Sequence, residues 1–214
     1  MIDFRLYLIT DRARCAPRAL QAVVGEAVTA GVRAVQLREK DLSADELEPW
    51  IARLAAVTRA GGAKLIVNRD ASITADEEAF LAASLEADGF HFPEHTPFPA
   101  ALRKRFPGRL VGISTHTRQS ALAATLEGAD FVTFGPVFAT PSKARYGPPL
   151  GVDALCDTCA AVKIPVFALG GVTPENAAAC VEAGAQGVAA VSAVMEAPDI
   201  SAAVQKFARA LGGL

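Results

Sequence analysis

The sequence predicts an α/β protein, a single-domain (β/α)8 or TIM barrel covering residues 1–214. Three observations lead there. Eight short apolar runs each hand over to a helical pattern, and the runs are apolar on both faces, as strands wrapped by helices must be. A recurring junction, in which a helix stops at glycine and an apolar strand begins, appears as Ala30-Gly31-Val32-Arg33-Ala34-Val35, Glu127-Gly128-Ala129-Asp130-Phe131-Val132 and Ala183-Gly184-Ala185-Gln186-Gly187-Val188. No shift in composition and no linker divides the chain. A doubly wound open sheet is the alternative, disfavoured because no Gly-x-Gly-x-x-Gly turn follows the first strand.

Taken in order, residues 4–10 read as a strand ending at Asp11-Arg12, and 16–30 as a helix closed by Gly31. Residues 32–37 form a second strand, ending in Arg38-Glu39-Lys40. Ser43-Ala44-Asp45-Glu46 is a capping box for a helix to about residue 60, with Pro49 tolerated in its opening turns. After Gly61-Gly62 comes a strand at 64–67, ending in Asn68-Arg69-Asp70. Thr74-Ala75-Asp76-Glu77 caps a helix to about 85; a short strand at 89–92 precedes Pro93-Glu94-His95, and a basic helix lies at 100–105. A strand at 110–113 opens into Ser114-Thr115-His116-Thr117, a helix spans 118–126, and 129–134 is the sixth strand. It empties into Gly135-Pro136-Val137-Phe138-Ala139-Thr140-Pro141-Ser142-Lys143. Then follow a helix at 152–162, a strand at 166–169 with Gly170-Gly171, and a helix to 183 with Thr173 as N-cap and Pro174 at its first position. A strand at 187–191, a helical turn from Ser192 and a helix capped by Asp199 complete the chain.

Apolar residues make up 51% and charged residues 21%, enough for a sizeable core and against disorder. A net charge of −2 offers no footprint for nucleic acid. No 18-residue uncharged apolar run suggests a membrane span, and the charges in Met1-Ile2-Asp3-Phe4-Arg5 do not suit a secretory signal. Four cysteines in this setting imply free thiols and a cytoplasmic protein. Cys156 and Cys159 make a C-x-x-C, but with no second pair at metal spacing they read as helix residues facing the core. Homo-oligomerisation is left open.

In such a barrel the carboxyl ends of all strands meet on one face, where active sites lie. That face gathers Gln36, Arg38 and Lys40; Asn68, Arg69 and Asp70; His91, Ser114 and His116; Thr140, Ser142 and Lys143; and Gly170, Gly171, Val191 and Ser192. The last four suit a phosphate, since glycines admit the backbone and a helix start presents N–H donors. Arg38, Lys40 and Lys143 exceed what one monophosphate needs, so a diphosphate or a second anion is expected. His116 is the candidate general acid or base. His91 reads as another polar rim residue and His95 as solvated.

Seven segments occur in order: 6–11, 35–40, 65–68, 87–91, 112–117, 135–143 and 168–172. Together they resemble the thiamine phosphate synthase / TenI superfamily over essentially the whole chain. The resemblance implies a (β/α)8 barrel and small phosphorylated substrates. In that superfamily the synthase joins a hydroxymethylpyrimidine diphosphate to a thiazole phosphate using magnesium, whereas TenI-type relatives aromatise a thiazole carboxylate phosphate by a proton shift. By the resemblance Gln36, Arg38, Lys40, Asn68, Thr140, Ser142 and Lys143 bind anions, and Gly170, Gly171, Val191 and Ser192 cradle the thiazole phosphate. Ser114 is similar to a synthase serine and His116 to the tautomerase histidine. Two departures stand out: the positions of the synthase's metal carboxylates carry Arg69 and Thr96, with Asp70 and Glu94 as substitutes nearby. The Phe92-Pro93 step is similar to TenI-type relatives, while Lys40 and Pro136 follow the synthase. The expectation is therefore a metal-free TenI-type thiazole tautomerase acting through His116. The alternatives are a magnesium-dependent synthase and a non-catalytic protein that binds thiazole or thiamine phosphate.

Overall fold

A computed structural model describes residues 2–68, 86–94, 107–141 and 147–214. Eight parallel strands close a barrel in chain order: β1 (Leu6–Ile9), β2 (Ala34–Leu37), β3 (Lys64–Asn68), β4 (Gly89–Phe92), β5 (Leu110–Thr115), β6 (Phe131–Phe134), β7 (Val166–Leu169) and β8 (Gly187–Ala190), with β8 pairing back onto β1. The (β/α)8 expectation holds. The described helices are α1 (Leu20–Thr29), α2 (Ala44–Ala60), α3 (Arg118–Leu126), α4 (Gly151–Ala161), α5 (Ala177–Glu182), α6 (Ser192–Met195) and α7 (Ile200–Leu211). The helices expected at 74–85 and 100–105 lie outside the described residues. Among the described residues no helix is long and apolar enough to cross a membrane.

Side chains alternate across each strand, and both faces are covered, which is why strands such as LYLI and AVQL are buried at every position. Leu6, Leu8, Val35 and Leu37 pack outward with α1 and α2 residues such as Val24, Ile51 and Leu54. Tyr7, Ile9, Ala34, Ile66, Phe131 and Phe167 fill the inside. There Phe4 stacks on Phe167 at 5.0 Å, and Phe131 meets Tyr7 edge-on at 5.5 Å. This aromatic plug makes the barrel a solid core rather than a pore. The same period continues inward along the strands as Gln36, Asn68, His91, Ser114 and Thr133, so the carboxyl end of the interior is polar.

Several boundaries move for local reasons. The first helix starts at Leu20 rather than residue 16, because 12–14 form a 3-10 turn and Arg18 N closes onto Cys15 O at 2.8 Å. Ser114 and Thr115 belong to β5, since Gly135 N continues the ladder to Thr115 O at 3.2 Å. Thr173 is not an N-cap. Its N–H donates to Asn176 Oδ1 at 2.8 Å, and α5 begins only at Ala177. Val191 leaves the strand and caps α6 instead. On α4, Cys159 is half-buried and packs against the core as expected, whereas Cys156 is exposed and does not. The capping boxes expected for α2, and for α7 the Asp199 cap, form as read.

Candidate active site at the carboxyl end of the barrel

Between β1 and β2 a buried carboxylate organises the rim. Glu39 is only 7% exposed, yet fully partnered. It accepts from Thr10 Oγ1 at 2.7 Å, from Arg12 N at 3.0 Å and from Arg12 Nη1 at 3.4 Å. Thr10 Oγ1 in turn accepts from Arg38 N at 2.9 Å. Arg12 also grips Asp41 through two bonds of 2.6 Å, and Arg14 joins Asp11 and Glu196. The neighbouring acids are thereby occupied. Among the described residues Arg38 makes no ion pair. Burial works against the charge of its guanidinium, while Asp11 and Glu39 favour it from a distance. An arginine held in place by its backbone, half-buried and with no paired carboxylate among the described residues, is a ready partner for an anionic ligand.

Inside the mouth, Gln36 is buried and donates through Nε2 to Tyr7 Oη at 3.0 Å. Burial pushes the Tyr7 phenol well above its usual value. Asn68 Nδ2 donates to His91 O at 3.3 Å. His91 is not the rim residue the sequence suggested. It is 1% exposed, with Nε2 3.0 Å from Ser114 Oγ and 3.5 Å from Thr133 Oγ1. The ring fits because Gly112 faces it: a Cβ there would lie 2.5 Å from His91 Nδ1.

His91 carries a pH prediction. Burial, and then the charge of Arg38, hold its pKa down at about 3. The unfolded ring titrates near about 6.5, so between those values the unfolded chain binds a proton that the folded chain refuses. This contribution is fully present above about pH 6.5 and shrinks as pH falls, by about 2 kcal/mol at pH 5. Urea denaturation at both pH values should register the loss, and His91→Gln should lose less.

His116 sits half-buried at the end of β5. Its Nδ1 bonds Gly135 O, and its backbone N–H donates to Glu94 Oε1 at 3.1 Å. A carbonyl only accepts, so Nδ1 carries the proton and Nε2 is the nitrogen left for proton transfer. Across the mouth, the β6 and β7 loops are laced by Val137 N to Leu169 O and Phe138 N to Gly170 O, both at 2.9 Å. Gly170 and Gly171 have φ of 94° and 64°, and a Cβ would come within 2.6 Å of Pro136 Cα and 2.4 Å of Ala139 O respectively. Asn176 Nδ2 fixes the turn by donating to Gly171 O at 3.0 Å. Val191 is half-buried, and exposed Ser192 begins α6, whose first amides have no acceptor within the helix. Lys40 is exposed on the rim and Thr140 half-buried. Arg69, Asp70, Thr96, His95, Ser142 and Lys143 lie outside the described residues. The structure therefore brings together Arg38, Asn68, Ser114, His116, Gly170 and Gly171 at one end of the barrel, and places Gln36 beneath them.

A family model described as thiamine monophosphate synthase matches residues 6–194. The chain belongs to the thiamine monophosphate synthase family. Relatives named thiamine-phosphate synthase include those of Roseiflexus castenholzii, 40% identical over 94% of this chain and 85% of its own, and Chloroflexus aurantiacus, 38% identical over 97% and 92%. A Geobacter sulfurreducens protein, provisionally given the same name, is 46% identical over 92% of this chain and 90% of its own. A thiamine phosphate pyrophosphorylase from Pyrococcus furiosus superposes with a TM-score of 0.82 at 29% identity, covering 98% of this chain and 96% of that one. These names favour the synthase over the tautomerase expected from the sequence.

Family membership implies magnesium, and the described residues fit it poorly. No group of three or more acidic, histidine or cysteine side chains among them could hold a metal. Asp11, Glu39 and Asp41 are taken by arginines, and Glu94 by the His116 amide. Magnesium needs one or two free carboxylates beside substrate phosphates.

What the sequence missed is the support beneath the site: Thr10, Glu39, Tyr7, Thr133 and Asn176, and the buried place of His91 among them. Period two along β4 carried a signal for His91, since Gly89 and His91 point to the same face.

Proposed function

We propose that the chain is a thiamine-phosphate synthase, forming a C–N bond between a pyrimidine methylene carbon and a thiazole nitrogen while the C–O bond to diphosphate breaks. The observation that carries this reading is the 40% identity, over 94% of the chain, to a protein named for that activity. The rim supports it. Arg38 and Lys40, with Thr140 and, as the family resemblance implies, Ser142 and Lys143, take the diphosphate, whose negative charge grows as it leaves. Gly170, Gly171, Val191 and Ser192 hold the thiazole phosphate, and Ser114 and Asn68 orient the pyrimidine side. Gln36, anchored on Tyr7 Oη, lines the floor of the site. His116, tethered at both its amide and Nδ1, ties β5 to the β6 loop. The enzyme works in the cytoplasm, in keeping with four free thiols.

The test supplies purified protein with hydroxymethylpyrimidine diphosphate and thiazole phosphate, with and without magnesium. Thiamine phosphate and pyrophosphate should appear in equal amounts. If instead the dihydrothiazole carboxylate phosphate is aromatised and no coupling occurs at saturating magnesium, the tautomerase reading replaces this one. Binding with neither reaction would leave a non-catalytic phosphate binder.

A further inference from the structure

The polar atom that the site leaves unexplained is His91 Nδ1. It is buried, and among the described residues it has no hydrogen-bond partner. Buried polar atoms of this kind are few in folded proteins, and the state of the ring decides how costly this one is. The ring cannot turn away to find a partner. Tyr7 packs on it at 5.9 Å and Phe131 at 5.7 Å between centroids, and its Nδ1 edge lies against Gly112. Among the described residues only Nε2 reaches other polar side chains, Ser114 Oγ at 3.0 Å and, more distantly, Thr133 Oγ1 at 3.5 Å.

Two neutral forms compete. With the proton on Nδ1, a buried N–H is stranded, and Nε2 must accept the hydroxyl proton of Ser114. With the proton on Nε2, only a lone pair is stranded, and Ser114 Oγ becomes the acceptor. A stranded donor is the rarer and costlier defect, so the second form wins. The doubly protonated ring would meet the same dry wall, with Arg38 the charged group acting on it.

We propose that His91 is a positioning residue: Nε2–H donates to Ser114 Oγ, which turns the serine's own proton toward the mouth, to be given to an acceptor atom of the substrate. The serine has one proton, and with His91 supplying a bond to its oxygen that proton is free to point elsewhere. Ser114 thereby presents a donor suited to a lone-pair acceptor, such as a ring nitrogen or a phosphate oxygen. This inference rests on the proposed reading of Ser114 as a substrate-contacting residue.

Nitrogen-15 labelling of the histidines in the whole chain reads the tautomer directly, with the His91 signals identified by their loss in His91→Gln. We expect a protonated, pyrrole-type Nε2 and a bare, pyridine-type Nδ1, unchanged from about pH 5 to pH 8. A protonated Nδ1 would overturn the proposal. In coupling assays, His91→Leu should lower kcat/KM roughly tenfold or more, the effect of one misdirected buried hydrogen bond. His91→Gln, which can place an amide N–H near the Nε2 position, should recover most of it. Adding Ser114→Ala to His91→Leu should cost almost nothing further, because both changes remove the same directed proton. Additive losses, or full activity in folded His91→Leu, would overturn the idea. Should His91→Leu fail to fold, the labelled wild type and the glutamine variant still decide. A harmless Ser114→Ala would sink this inference and the site reading together. A harmful Ser114→Ala beside a protonated Nδ1 would sink this inference alone.

Discussion

A Gly171→Ala variant is expected to lose about 2–4 kcal/mol of stability and nearly all coupling activity. Two costs add at this position. The residue has φ of 64°, where a side chain is strained, and a Cβ would sit 2.4 Å from Ala139 O and 2.8 Å from Phe138 Cβ. The backbone oxygen cannot yield cheaply, because the loop that carries it is pinned to β7 through Val137 N and Phe138 N. The methyl must therefore push the β6 loop away from the β7 turn, separating the two sides of the proposed two-anion site. Gly108 provides the control. It has φ of 79°, but a methyl group there would meet nothing within 4 Å, so Gly108→Ala should cost only about 1 kcal/mol. Thermal melts of the two variants separate strain from collision, and the KM for thiazole phosphate should rise only for Gly171→Ala. Equal destabilisation of both, with normal KM, would mean that the close approach of the two loops has no part in binding.

The barrel was legible because its signals are local. Strand runs, glycine junctions and caps each lie within a few residues, and eight of them in sequence leave few topologies. The face of the site was legible for the same reason, since any residue just past a strand belongs to it. What was not legible is who holds whom. Glu39 drew no role from the sequence, yet it is buried under Arg12 and bonded to Thr10, 29 positions away. His91 looked like a rim residue, and its burial depends on Gly112 of the next strand leaving room for the ring. These partnerships come from register between strands, which composition and spacing do not encode. Thr173 failed as a cap for a related reason: Asn176, three residues on, has a side chain long enough to take the Thr173 N–H and still donate to Gly171 O. Where local rules offered two partners, the one serving the glycine turn prevailed.

Arg38→Met should lower kcat/KM by about a hundredfold or more, chiefly through KM for the diphosphate substrate, while leaving the protein as stable as before or slightly more so. The two expectations share one cause. The guanidinium is half-buried, burial disfavours its charge, and no described carboxylate pairs with it. Folding thus bears a desolvation cost that Asp11 and Glu39 offset only in part and that an anionic ligand would offset further. Removing the charge relieves that cost in the free protein and forfeits the offset in the complex. Arg38→Lys should rescue little, because a single ammonium cannot make the paired, planar contacts that a guanidinium makes with two phosphate oxygens. The platform predicts a graded series: Thr10→Val removes the acceptor for Arg38 N and a donor to Glu39, so it should weaken binding about tenfold while also destabilising the fold, by about 1–3 kcal/mol. Binding isotherms for pyrophosphate and urea melts on the same three variants distinguish the roles. A loss of stability in Arg38→Met with unchanged pyrophosphate affinity would make Arg38 a structural residue and move the diphosphate elsewhere on the rim.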